Sequence, residues 1–243
     1  MNSIDYLNTG SADDFVDALL VEVETHRAIT HPYLVRMRRG LFPDMKEALK
    51  DYAHQYSFYS RGFVSYLTSV IDRLPNDDHK EAIRENLEEE QGDPNSEKLE
   101  ERPHVEIFNH FKKCVGADEA YCESTPPSST VEIWSRLFQE KCDSDRLGIG
   151  LGAIGLATEN IVPDIYPYII EGIENHTDLG EDASLFFNLH VECDDGHGED
   201  LVNVTKDIAN DLTTREAIRF GAISALNLRA AFWDSQLARA FQM

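Results

Sequence analysis

His190, Asp194 and His197 stand on one short segment, FFNLHVECDDGHGEDL, in the pattern H-x3-D-x2-H. On an α-helix each residue advances about 100°. Asp194 therefore falls about 40° from His190, and His197 about 20° to its other side. Two imidazoles and one carboxylate leave the helix along a single stripe and can converge on one point. Nitrogen and oxygen donors in that arrangement form a ligand set suited to a redox iron ion.

Two further stretches put ionisable groups where a helical protein is normally apolar. One is RENLEEEQG at residues 84–92, followed after a loop by His104. The other is LATENI at 156–161, where Glu159 follows a long run of small apolar residues. A carboxylate in such a setting is costly to bury unless it meets a cation or hydrogen-bond donors, and a metal supplies the cation. Taken singly, each has a plainer reading. The acidic run 88–90 reads as a solvated helix face, His104 as a first-turn surface residue, and Glu159 as the partner of an Arg or Lys. Taken together, Glu90, His104, Glu159, His190, Asp194 and His197 give three histidines and three carboxylates, which suit two iron ions with bridging carboxylates. Glu88 and Glu89 adjoin Glu90, and a slip of one residue turns a carboxylate about 100° away, so one of the three is the main ligand.

The elements that must position these groups read as helices. Strand-period alternation, internal repeats and long linkers are absent from the sequence. Ser11 with Asp14 three residues on marks an N-terminus, followed by the stripe Phe15, Leu19, Val23. A long helix is predicted over roughly 44–73, and another from Asn76 or Asp77 to Gly92. Pro103 opens a helix over about 104–115, and Thr130 one to about 142. The segment from Glu123 through Pro126 and Pro127 reads as a loop. A helix over about 145–175 is expected to kink at Pro163, the motif helix spans about 181–197, and a last helix spans about 213–241. The expectation is an all-α, single seven- to eight-helix bundle without an internal boundary, one domain over residues 1–243.

The run Gly150-Leu-Gly152-Ala-Ile-Gly155 matches G-x-G-x-x-G, but no strand precedes it, so the dinucleotide reading is rejected. Small residues there serve close helix packing or leave space beside a site. Acidic residues outnumber basic ones 45 to 22, a formal charge of −23. That sign excludes phosphate neutralisation and hence nucleic-acid binding, and disfavours anionic membrane surfaces. The N-terminus lacks a basic region and an apolar run, and no stretch reaches the length of a membrane span, so a cytoplasmic protein is expected. Cys114, Cys122, Cys142 and Cys193 contain no C-x-x-C pair and read as free thiols. Cys193 lies about 90° off the ligand stripe.

The three ionisable stretches resemble the heme-oxygenase-like diiron oxidases, relatives of the heme-oxygenase fold that hold iron among the helices and bind no heme. The resemblance rests on Asn86-Leu87-x-x-Glu90, then His104, then Glu159, then His190/Asp194/His197, with HPYLVRMRRGLFPDMKEALKDYAHQYSFYSRGF resembling the family's first helices. It runs from about residue 30 to 235. It implies two iron ions, dioxygen as co-substrate, and oxidation or cleavage of a small carboxylic or amino acid. His104 and Glu90 would hold one iron, and His190, Asp194 and His197 largely the other, with Glu159 bridging. Tyr56, Phe63, Phe186, Phe187 and the glycine helix are expected pocket walls, and a homodimer is expected by analogy. Three other readings compete. They are a metal-independent enzyme of the same fold (like the thiaminase or pyrroloquinoline-quinone synthase relatives), a non-catalytic helical interaction protein, and a site for manganese or zinc.

Overall fold

The computed structural model describes residues 5–8 and 10–242, with side chains for 6–8, 10–191 and 198–242. Among the described residues every regular element is helical. The α-helices are α1 (Ala12–Glu24), α2 (Pro32–Arg38), α3 (Met45–Ser60), α4 (Phe63–Arg73), α5 (Asp77–Gln91) and α6 (His104–Cys114). They continue as α7 (Glu119–Ser124), α8 (Ser129–Cys142), α9 (Leu147–Leu151), α10 (Val162–His176), α11 (Leu185–Ile208) and α12 (Leu212–Ala240). Twelve segments exceed the expected seven or eight because α2 and α7 lie outside the predicted helices and two long predicted helices are each broken in two. The helix expected over 44–73 divides at Arg61 and Gly62 into α3 and α4. The motif helix starts later and ends later than predicted.

The caps follow the sequence signals. Ser11 and Asp14 close a capping box on α1. Asn76 accepts from the Asp78 N–H to start α5. None of the described helices is long and apolar enough to cross a membrane. Cys114, Cys122 and Cys142 are free thiols, as expected; the side chain of Cys193 lies outside the described residues.

At the centre, α12 runs against α8, α9, α3 and the segment after α9, while α10 packs on α2 and α11. The core is unusually aromatic. Tyr33 stacks on Trp233 at 5.4 Å, and Tyr59 on Trp134 at 3.9 Å between centroids. Complete burial of a Phe-sized side chain stabilises by about 1.5–3 kcal/mol, so these rings are the main cohesive feature of the middle of the molecule.

The predicted helix 145–175 is not continuous, and its break is not the kink expected at Pro163. After α9 the backbone widens into a π-helical turn over Gly152–Leu156, with the Ala157 N–H reaching back to the Gly152 carbonyl at 3.2 Å. A 3-10 turn, Glu159–Ile161, follows, and only then does α10 begin. Pro163 sits in the first turn of α10, where its missing N–H costs nothing. The cause of the irregularity lies in the close crossing with α12. A Cβ on Gly152 would stand 2.1 Å from the Ile218 carbonyl oxygen, and one on Gly221 2.1 Å from that of Ile149. The glycines therefore pack backbone on backbone, as read for small residues, and the segment that follows turns Glu159 inward.

Candidate metal centre

On α5, Ile83, Asn86 and Glu90 are the buried residues. Their spacing of three and four residues defines one helix face. Glu88 and Glu89 on the same turn are exposed, so Glu90 is the residue of the acidic run that faces inward. The helix stops at Gly92, whose φ of +47 lies in the region that favours glycine. From there the loop folds back. The Asp93 N–H donates to the Glu101 carbonyl at 2.8 Å, and Arg102 Nε donates to the Ser96 carbonyl at 2.9 Å. The loop thus returns His104, the first residue of α6, to the end of α5.

There His104 Nδ1 lies 2.9 Å from Glu90 Oε1. From α11, His190 Nε2 lies 3.6 Å from the same oxygen. The two imidazole centroids are 4.5 Å apart. One ligand atom from each of Glu90, His104 and His190 falls within 4.8 Å of the others, close to the span of donors around one ion with bonds of about 2.1 Å. Burial works to raise the Glu90 carboxyl, but the bonds to His104 and His190 overcome it and hold it down at about 2.

The tautomer of His190 tests the fit of a cation. Its Nδ1 is 2.7 Å from the Phe186 carbonyl oxygen one turn back. A carbonyl only accepts, so Nδ1 carries the hydrogen. In the neutral ring Nε2 then presents a lone pair to a carboxylate oxygen. Two acceptors face one another, an arrangement that needs a proton or a metal ion between them. A histidine held at Nδ1 by a carbonyl, with Nε2 directed at the site, is the usual outer-sphere pattern of metal sites.

Glu159 reaches the same cavity from the 3-10 turn and is buried. Asn86 Nδ2 donates to its Oε1 at 2.9 Å. Asn86 therefore fixes the second carboxylate. In the sequence it stood only as the first residue of N-L-x-x-E, without a role of its own. The backbone of α11 is helical through residues 190–197, so the geometry of the H-x3-D-x2-H stripe holds for the main chain. The side chains of Asp194 and His197 lie outside the described residues.

The cavity enclosing these groups has walls of Tyr56, Phe63, Phe108, Tyr166 and Phe186, with Arg229 on α12. Tyr56, Phe63 and Phe186 were expected there. Phe187 instead belongs to the core behind the wall. None of the glycines of 148–155 lines the cavity. Arg229 was not anticipated. Its signal was a cation amid Ala225, Leu226, Ala230, Phe232 and Trp233 on the last helix.

Residues 50–230 match the model of a family described as iron-containing redox enzymes. The chain belongs to that family. This iron-containing redox enzyme is 24% identical over 203 residues to a 4-aminobenzoate synthase of Chlamydia pneumoniae, a match covering 83% of this chain and 84% of the relative. It is 22% identical over 223 residues to a 4-chloro-allylglycine synthase of Streptantibioticus cattleyicolor, covering 91% and 82%. A TenA homologue from Pseudomonas syringae pv. tomato superposes with a TM-score of 0.77 at 11% identity, covering 98% of this chain and 97% of the other. A domain of unknown function with a heme oxygenase-like fold from Shewanella denitrificans gives 0.70 at 16% identity, covering 93% and 90%. The all-α, heme-oxygenase-like expectation is borne out.

Proposed function

We propose that the protein is a non-heme diiron oxidase that uses dioxygen to oxidise or cleave a small carboxylate or amino-acid-like substrate. The observation that carries this reading is the meeting of Glu90, His104 and His190, from three helices, around one point inside the molecule. The metal ligands we assign are Glu90, His104, Glu159, His190, Asp194 and His197. The last two rest on their spacing from His190. Nitrogen and carboxylate oxygen donors without thiolate suit iron in a redox role. Both relatives' names denote makers of amino-substituted carboxylic acids, which supports the substrate class.

Iron bound there would supply the electrons that reduce dioxygen, which no side chain of this set can give. The chain's own work is to hold donors and exclude water. The bond from His190 Nδ1 to the Phe186 carbonyl sets the imidazole's orientation. Asn86 keeps one Glu159 oxygen occupied and the carboxylate directed. Phe186 lies 4.2 Å from the His190 ring and Tyr166 5.7 Å, and they close the apolar side against bulk water. The low carboxyl value of Glu90 keeps it ionised, and so able to ligate, throughout the neutral and mildly acidic range.

The test is anaerobic titration of iron-free protein with ferrous iron, then admission of oxygen with small carboxylates and amino acids present. Saturation at two ferrous ions per chain and substrate-stimulated oxygen uptake are expected. Preferential loading with redox-inert zinc, or unchanged function in a His190→Ala/His197→Ala double variant, would overturn the proposal.

A further inference from the structure

Buried arginines in this protein come in two kinds. Arg215 donates to three main-chain carbonyls, those of Ala209, Leu7 and Gly10, and serves the fold. Arg229 is only 4% exposed, and the groups that act on its guanidinium are the hydroxyls of Tyr59, Tyr56 and Tyr166. Its guanidinium carbon lies 5.3 Å from the Trp134 ring centroid and 5.7 Å from that of Tyr59. Those two rings are themselves stacked, so the guanidinium rests on an aromatic platform. Its other near neighbours include the hydroxyl-bearing Tyr56, and it opens onto the same cavity as Glu90 and Glu159.

A guanidinium stays charged at every accessible pH. Sealing one away from water without a counter-ion is costly. Ring faces recover part of that cost, but they do not use the planar fork of N–H donors, which matches a carboxylate in two parallel bonds. The cavity has about 540 Å³ of space among its lining atoms, a figure that includes open solvent. An adjoining hollow bounded by Arg61, Gln91 and Pro103 continues it outward. The lining thus combines two carboxylates and two imidazoles with the guanidinium of Arg229, and Phe63, Phe108, Ile165 and Phe186 line the same cavity.

We propose that Arg229 is the residue that recognises the substrate's carboxylate. It would orient a small monocarboxylate so that its apolar or aromatic body lies toward Glu90, His104 and His190. The assignment rests on reading the cavity as the active site, and it makes the carboxylate bind the protein rather than the metal.

Calorimetry on the iron-loaded protein under nitrogen tests it, with benzoate and its neutral isostere benzamide as probes and iron content measured on every sample. Wild-type protein should bind benzoate roughly tenfold or more tightly than benzamide. Arg229→Met should lose that preference while keeping its iron, and Arg229→Lys should keep part of it. Equal wild-type affinities for the two probes would overturn the proposal without any variant, so a misfolded Arg229→Met does not leave it open. So would an Arg229→Met protein that binds benzoate as wild type does, or a preference lost in His190→Ala but kept in Arg229→Met, since the carboxylate would then be at the metal. Absence of iron from the wild type strikes the diiron reading alone, because the probe preference is measured separately.

Discussion

Asp51 and Glu90 are both carboxylates sealed inside a helical protein, 1% and 9% exposed, yet their surroundings could hardly differ more. Asp51 on α3 is gripped at both oxygens by the Arg239 guanidinium from α12, with Arg239 Nε at 2.7 Å from Oδ2 and its NH2 bonded to Oδ1. The Tyr121 hydroxyl donates to Oδ1 at 3.3 Å. The pair is neutral and complete. Glu90 faces two imidazoles, one of which needs a proton or a metal ion to bond it, and Glu159 stands in the same cavity held by an amide. A permanently charged partner marks a carboxylate that ties helices together. Partners that could themselves ligate mark one suited to a cation. Arg229 is the mirror case, a buried cation among tyrosine hydroxyls.

The sharpest way to break the comparison is to neutralise each carboxylate. Glu90→Gln removes a donor at the point where three helices meet. Because losing even an outer-sphere partner costs 10- to 100-fold in metal affinity or activity, we expect more than about 100-fold loss of turnover, with iron content well below wild type. Asp51→Asn should do the reverse, leaving iron content and turnover near wild type. It should lower stability by about 2 kcal/mol, below the usual 3–5 for a broken buried pair, because Arg239 is partly exposed and regains water. Elemental analysis and urea unfolding on both variants decide it. A large stability loss in Glu90→Gln with iron retained would erase the distinction.

A smaller effect sharpens it. Asn86 donates to the predicted ligand Glu159, so Asn86→Leu should weaken iron binding and turnover by roughly tenfold. The corresponding change at Asp51's third partner, Tyr121→Phe, should alter neither. Equal iron affinity in Asn86→Leu and wild type would show that Glu159 needs no positioning.

These contrasts also explain how much was legible in the sequence. Ser11, Asn76, Pro103 and Gly92 announced their helix ends through local chemistry, and the structure follows them. Glu90, His104 and His190 stand out in the sequence because their residue types are out of place on helices, and the structure brings the three together. The inward choice of Glu90 over Glu88 and Glu89 needed only the phase of α5. What stayed hidden depends on tertiary contact. The run from Leu147 to Ile161 is compatible with a continuous helix. Only the close approach of Ile218 and Gly221 on α12 opens it into a π turn and delivers Glu159. Arg229 carries no motif, and its place in the cavity is set by the packing of α12 against α3 and α8.

Acid titration should produce the smallest effect and separate the two classes of buried group by pH. His26, His31 and His54 are held below their ordinary 6.5 chiefly by burial, which hydrogen bonds to Asn227, Asp234 and the Thr125 carbonyl only partly offset. Below 6.5 the unfolded chain therefore binds more protons at these sites than the native one. Stability rises with pH where the unfolded state binds more protons, so it must fall as pH drops through that window. Glu90 in the iron-free protein acts lower down. Its carboxyl lies at about 2 instead of 4.5, so its contribution is whole above 4.5 and is lost as pH falls toward 2. Urea midpoints of the iron-free protein should thus decline in two stages. His54→Gln should flatten part of the upper stage, and Glu90→Gln only the lower. A midpoint constant between pH 7 and 5 would refute the first stage. A Glu90→Gln profile parallel to wild type below 4.5 would refute the second stage.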